Sequence, residues 1–257
     1  MEIQTALMLF GAGVLGGALA GFVGGASLIT FPALLAAGLP PVTATTSNLA
    51  AISPANFIAA FSDRAQMPPL DRAFAGLVLA SVVGALAGAA LLLLTPGRLF
   101  ELLVPLLLGF ATVLFAFSPQ IVTRLRARAQ ARGGSEPRLA VTSVPMLLPV
   151  SVYGGYFGAG VGVLLLAVLS VATAGDYRAA NVIKNLVTGI NTVVVVIYFA
   201  VNGAVAWPPA LVMMAGALIG GLMGGQLARV APPIFMRFAV VAIGALLTIA
   251  YAWRYWF

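Results

Sequence analysis

Gly21-Phe22-Val23-Gly24-Gly25 decides the fold, because it returns 134 residues later as Gly155-Tyr156-Phe157-Gly158-Ala159. Neighbouring features recur at nearly the same spacing. Ser47-Asn48 returns as Lys184-Asn185 at an offset of 137, and Gly84, Gly88 and Pro96 return as Gly220, Gly224 and Pro232 at 136. Offsets this constant identify an internal duplication. An apolar chain built from two copies reads as a secondary transporter, because such proteins hold their substrate between repeats.

The 257 residues are 62% hydrophobic and only 7% charged, and mean hydropathy is +1.10. A soluble domain carries about 25% charged residues. These proportions leave nothing with which to build a water-facing surface, so the chain is an all-α, polytopic membrane protein of one domain. Its net charge is +7, but the basic residues fall mainly in short segments between apolar runs. Lipid topology accounts for that placement better than nucleic-acid binding, which is excluded as a function. There is no cysteine and no histidine. That removes disulfides, thiolate nucleophiles, imidazole bases and the usual zinc and haem ligands, so no metal, cofactor or enzyme activity is expected. Met1-Glu2-Ile3 lacks the positive start of a signal peptide, and residues 5–21 read as a retained membrane segment.

Apolar runs divided by proline, glycine or charge predict five segments per half. The first half, 1–118, has them near 5–21, 25–39, 42–61, 73–94 and 99–117; the second, 139–257, near 140–154, 160–174, 179–201, 208–228 and 234–253. A basic linker, 119–138, joins the halves; its arginines meet anionic lipid heads, and Gly133–Pro137 forms a hinge. The first two segments of each half fall short of the roughly 20 residues a crossing needs, so they read as broken or re-entrant helices. Charge decides the count. With the linker cytoplasmic, an eight-crossing chain puts Arg98, Arg178, Lys184, Arg229 and Arg237 outside. Ten segments leave only Arg98 and Arg254 there, out of 13 basic residues. The positive-inside rule favours ten. Five per half is odd, so the second repeat is expected upside down relative to the first.

Gly84-x-x-x-Gly88 and its counterpart around Gly220 and Gly224 predict close helix packing. A homodimer is compatible with these faces, unless packing within one chain consumes them. The glycine breaks allow two readings. Gly24 and Gly25, like Gly158 and Gly160, precede short helices whose N–H groups could receive an anion. They could equally be tight turns that need positive φ or close approach. Polar residues at membrane depth concentrate in two segments. One carries Thr45, Thr46, Asn48 and Ser53, just after Ser27; the other carries Asn181, Lys184, Asn185, Thr188 and Asn191. Positions 181, 184, 185 and 188 share one helical face. Asn48 and Asn185 each lie about 10 Å along their helices, which in inverted copies brackets the midplane. Rows of Asn and Thr also serve simply to hold a bundle, at about 0.6 kcal/mol per interhelical bond. Lys184 stands out, since a lysine in a span costs about 2.5–3.5 kcal/mol. It either attracts an anion or snorkels its ammonium to the interface. No carboxylate lies deep in a predicted span, which argues against an evident proton relay or sodium site.

At these residues the chain resembles the sulfite exporter TauE/SafE family of membrane permeases. The likeness runs through Gly21–Ser27, Pro32, Gly38-Leu39-Pro40-Pro41 and Ala44-Thr45-Thr46-Ser47, then through Gly155–Gly160 and Ala180 to Lys184-Asn185. Gly25-Ala26 and Ala159 depart from it, where family members often carry longer glycine runs. The resemblance implies passage of sulfite, sulfonates or related organosulfur anions across the bacterial inner membrane, usually outward. The expected substrate site comprises Gly24, Gly25, Ser27, Thr46, Asn48, Gly158, Gly160, Lys184, Asn185 and Asn191. The alternatives are an anion channel or a membrane scaffold subunit without transport activity.

Overall fold

The computed structural model of the chain describes residues 2–20, 25–69, 71–131, 144–173, 176–230 and 233–256. These form helices, with no strand among the described residues. The first half contributes α1 (Ile3–Ala20), α2 (Ser27–Ala36), α3 (Pro41–Phe61), α4 (Arg72–Leu94) and α5 (Gly97–Ala116). The second contributes α7 (Val144–Tyr156), α8 (Val161–Ala172), α9 (Tyr177–Val201), α10 (Trp207–Val230) and α11 (Pro233–Trp256). Each expected apolar segment thus contains one helix. Between the halves, α6 (Ser118–Ala131) occupies part of the linker. Its polarity hid it from a search for apolar runs. It lies on α8, where Val122 joins Leu165, Leu166 and Leu169 in a buried cluster. The Gly133–Pro137 hinge lies outside the described residues.

Local chemistry sets the helix starts. Asp71 caps α4 by accepting from the Phe74 N–H at 2.8 Å, and Asp176 caps α9 by accepting from the Arg178 N–H at 2.9 Å and the Ala179 N–H at 3.2 Å. Pro41 opens α3 at a position where its missing N–H costs nothing. Among the described residues, five helices are long and apolar enough to cross a membrane: Ile3–Ala20, Arg72–Leu94, Gly97–Ala116, Tyr177–Val201 and Phe238–Trp256. By contrast α2, with 10 residues, and α8, with 12, span only about half of a hydrocarbon core. Large side chains such as Leu79, Leu106, Ile197, Leu222, Ile249 and Trp253 point outward, as lipid contact requires.

The halves interlock. α1 packs along α10 and α4 along α7; α3 lies against α10 and α9, and α9 against α4. Exchanging the halves maps α1–α10 onto α7–α4 and α3–α10 onto α9–α4, and maps α3–α9 onto itself. The glycine faces create the closest of these contacts. A Cβ on Gly88 would run into the Val152 carbonyl, and one on Gly220 into the Val14 carbonyl. Backbones can meet this closely only where no side chain intervenes. Gly224 has no described surroundings. The glycine faces on α4 and α10 are therefore used within one chain. Two further pairs give direction. Along α5 and α11, Leu102 meets Trp256, Gly109 meets Thr248 and Thr112 meets Gly244, so the two helices run antiparallel. Along α3 and α9, Phe57 meets Gly189 while Leu49 and Ile52 share a cleft with Thr192 and Val195, which is also antiparallel.

Candidate functional site

The second glycine break folds tightly. Gly158 has φ +80° and Gly160, the residue capping α8, has φ +78°. The Tyr153 hydroxyl donates to the Ala159 carbonyl at 2.6 Å and fixes the bend. A Cβ on Gly160 would press on Ala111 of α5, and one on Gly25 on the ring of Phe115, one turn further along α5. The two bends therefore converge on one face of α5. Phe31 of α2 and Phe157 of the second bend meet edge to face at 5.1 Å. Gly24 lies outside the described residues. At both starts, backbone N–H groups turn back into the bend: Leu28 to Gly25 O and Ile29 to Ala26 O, Val161 to Gly158 O and Val163 to Gly160 O. Less donor capacity faces outward here than at an open helix end.

In the first half the polar residues bond to one another. Asn48 donates to the Ser27 hydroxyl at 3.0 Å and its carbonyl accepts from the Thr30 hydroxyl. The Thr46 hydroxyl donates to the Ala204 carbonyl at 2.6 Å, and Ser47 accepts from the Ala206 N–H at 2.9 Å. This ties the start of α3 to the segment after α9. Thr30 was not singled out from sequence; its spacing of three from Ser27 on a short helix was the available signal.

The second half is different. Lys184 is 1% exposed and Asn185 0%. Among the described residues, the Lys184 ammonium and both amide atoms of Asn185 have no hydrogen-bond partner; nor do the Thr188 hydroxyl, the Asn191 carbonyl and the Ser53 hydroxyl. Lys184 does not reach the interface, so the snorkelling alternative fails. The positions corresponding to Ser27 and Thr30 at the 134-residue offset are Val161 and Leu164, which cannot bond to Asn185. Further along α9, the Asn191 amide donates to the Ser81 hydroxyl at 2.6 Å, and Ser81 and Ser151 share a hydrogen bond at 2.7 Å. These serines, on α4 and α7, were missed because each stands alone in an apolar run.

A narrow cleft of about 30 Å³ lies among these elements, walled by Leu49 and Ile52 of α3, Ser151 and Gly158, and Thr188 and Asn191 of α9. Of the expected site residues it gathers Gly158 and Asn191. Lys184 and Asn185 sit one to two turns along α9 from its wall, while Ser27, Asn48 and Thr46 are locked in their own bonds. The cleft and the adjoining buried face of α9 together offer neutral hydrogen-bonding groups and one amine, a set able to hold an anion. Among the described residues no cluster could hold a metal ion.

The sulfite exporter TauE/SafE profile matches residues 9–251. The chain belongs to the TauE/SafE family. It is a membrane transporter and not an enzyme. Among similar proteins, a probable membrane transporter protein of a Sinorhizobium species is 28% identical over 224 residues, covering 86% of this chain and 82% of that one. A probable membrane transporter protein of Haemophilus influenzae is 25% identical, covering 96% and 94%. The probable membrane transporter protein YfcA of Escherichia coli is 22% identical, covering 94% and 87%. No solved structure shows significant similarity to this TauE/SafE chain.

Proposed function

We propose that this protein is a secondary permease for small organosulfur anions or oxyanions, such as sulfite and sulfonates, in the bacterial inner membrane. The observation that carries this reading is Lys184, a buried amine without a partner among the described residues, on a polar face of α9 in a transporter family; a bound anion would hold it in its protonated form. A lysine held this way is costly unless a transient anion compensates it. Asn185, Thr188, Asn191 and Ser53 supply neutral donors nearby along the α3–α9 seam. The Asn191 amide can rotate to face an anion while its carbonyl accepts from Ser81.

The transport mechanism we infer is alternating access between two inverted repeats of five membrane segments each. The antiparallel courses of α3 against α9 and of α5 against α11 support inversion, since repeats of the same orientation would run parallel. Asp63 and Arg178 support the count of ten. Their bidentate pair, at 2.9 Å on both arms, joins the end of α3 to the start of α9. An eight-crossing chain would leave these residues on opposite faces of the membrane. The Asn48–Ser27–Thr30 bonds would carry α2 and α3 as one body when the repeats rock.

The test is uptake of sulfite and methanesulfonate into proteoliposomes containing the full chain. Saturable uptake that falls at least tenfold in Lys184→Met is expected. Unchanged uptake in the folded variant would remove Lys184 from the pathway, and unsaturable flux would favour a channel.

A further inference from the structure

The buried polar atoms left without partners are unevenly shared between the copies. Among the described residues, one belongs to the first half, the Ser53 hydroxyl, and the rest cluster on α9 at Lys184, Asn185, Thr188 and Asn191. The corresponding first-half cluster at Asn48 is closed upon itself by Ser27 and Thr30. Ser53 apart, the residues available to a ligand are therefore those of one copy, with a charge that can be counted.

With Lys184 protonated by an anion beside it, that charge is a single positive one. The sequences of α3, α7 and α8, three of the elements packed on α9, contain no Asp or Glu, and α4 and α9 contain none within their spans. Asp71 and Asp176 stand at helix ends, each used as a cap. Arg178 is paired with Asp63 at the exposed end of α9, and Arg64 and Arg72 are exposed. None of these groups shares the depth of Lys184, whose own exposure is 1%.

We propose that this site is a single-charge filter, which accepts a monoanion such as a sulfonate and rejects a dianion such as sulfate. This deepens the permease reading and rests on it. One negative charge beside Lys184 makes the buried assembly neutral. A second leaves an uncompensated charge in a low-dielectric interior, the situation that proteins tolerate least. The neutral donors of Asn185, Thr188 and Ser53 can hold oxygens of either ion, so shape alone does not discriminate between them. Charge does, and the affinity gap is expected to exceed about 100-fold.

Thermal shift and titration calorimetry on the full chain in nanodiscs, with three ligands of similar size, test this. Methanesulfonate carries one charge, sulfate two and dimethyl sulfone none. At matched ionic strength, methanesulfonate is expected to stabilise the protein and the other two are not. In Lys184→Gln the preference for methanesulfonate over dimethyl sulfone should vanish. Sulfate binding as tightly as methanesulfonate overturns the filter while leaving the permease reading intact. Equal binding of dimethyl sulfone by the wild type overturns it too, since charge would not be read. If none of the three binds and proteoliposomes show no anion uptake, the permease reading falls and takes this inference with it.

Discussion

Replacing Lys184 with Met should make the protein more stable and less able to transport. Lys184 lies seven residues into α9, about 10 Å from its start at 1.5 Å per residue. It is 1% exposed, with no partner for its ammonium among the described residues. Insertion scales place a lysine at a helix centre about 2.5–3.5 kcal/mol above an apolar residue, and at this shallower depth a value near 2 kcal/mol is reasonable. Methionine keeps the length and flexibility of the stem without the charge. For a chain of this size, about 2 kcal/mol corresponds to a rise of roughly 4–8 °C in Tm. Ligand reverses the comparison. Methanesulfonate at 100 times its Kd should stabilise the wild type by about 2.7 kcal/mol and leave the variant unmoved. Melting curves of both proteins, with and without methanesulfonate, read all four states. A variant that melts lower than wild type without ligand would show that Lys184 holds the bundle together, and the argument from an uncompensated charge would be wrong.

Other substitutions test the surrounding architecture. Asn48→Ala leaves the Ser27 and Thr30 hydroxyls without their shared partner and should cost about 1–2 kcal/mol in thermal stability, while the relative affinities for methanesulfonate and sulfate stay the same. Gly88→Val drives a side chain into the Val152 carbonyl and should destabilise the α4–α7 contact by about 3 kcal/mol or more, read as loss of folded protein on size exclusion. The chain has no cysteine, so single cysteines at 63 and 178 can be labelled with a membrane-impermeant maleimide. Both should react from the same face, and from the face opposite to a cysteine at 202; labelling of 63 and 178 from opposite faces would restore the eight-crossing arrangement.

The apolar helices and the glycine contacts were legible because each leaves a periodic mark. Gly84 and Gly88 recur with their partners at a fixed offset, and close packing is what spacing of four on a helix produces. α6 was not legible as a helix because apolar runs were the signal and its arginines break them. The polar residues of the site were legible individually, since Asn, Thr and Lys at membrane depth need a reason to be there. Their division into bonded and unbonded sets was not, because satisfaction depends on which residue of another helix faces them. Ser27 and Thr30 lie 21 and 18 residues before Asn48 and reach it only because α2 folds back on α3.

If the two halves are inverted copies, as proposed, that division separates their roles. Two identical copies would place two equivalent clusters about the pseudo-axis, each with the same charge. Here the copy containing Asn48 bonds inward, and the copy containing Asn185 has apolar Val161 and Leu164 where those partners stood and Lys184 in place of Ser47. On the proposed reading, exchanging two hydroxyls for apolar side chains and adding one amine turns a structural tie into a receptor for an anion. Restoring the tie should therefore close the receptor. Val161→Ser with Leu164→Thr offers Asn185 the bonds that Asn48 already has, at a cost in apolar packing offset by two hydrogen bonds of about 0.6 kcal/mol each. The double variant should fold, retain Lys184 and bind methanesulfonate several-fold more weakly, because its amide would be engaged. Full affinity, with the new bonds visible in a solved structure, would show that Asn185 contributes nothing to the ligand.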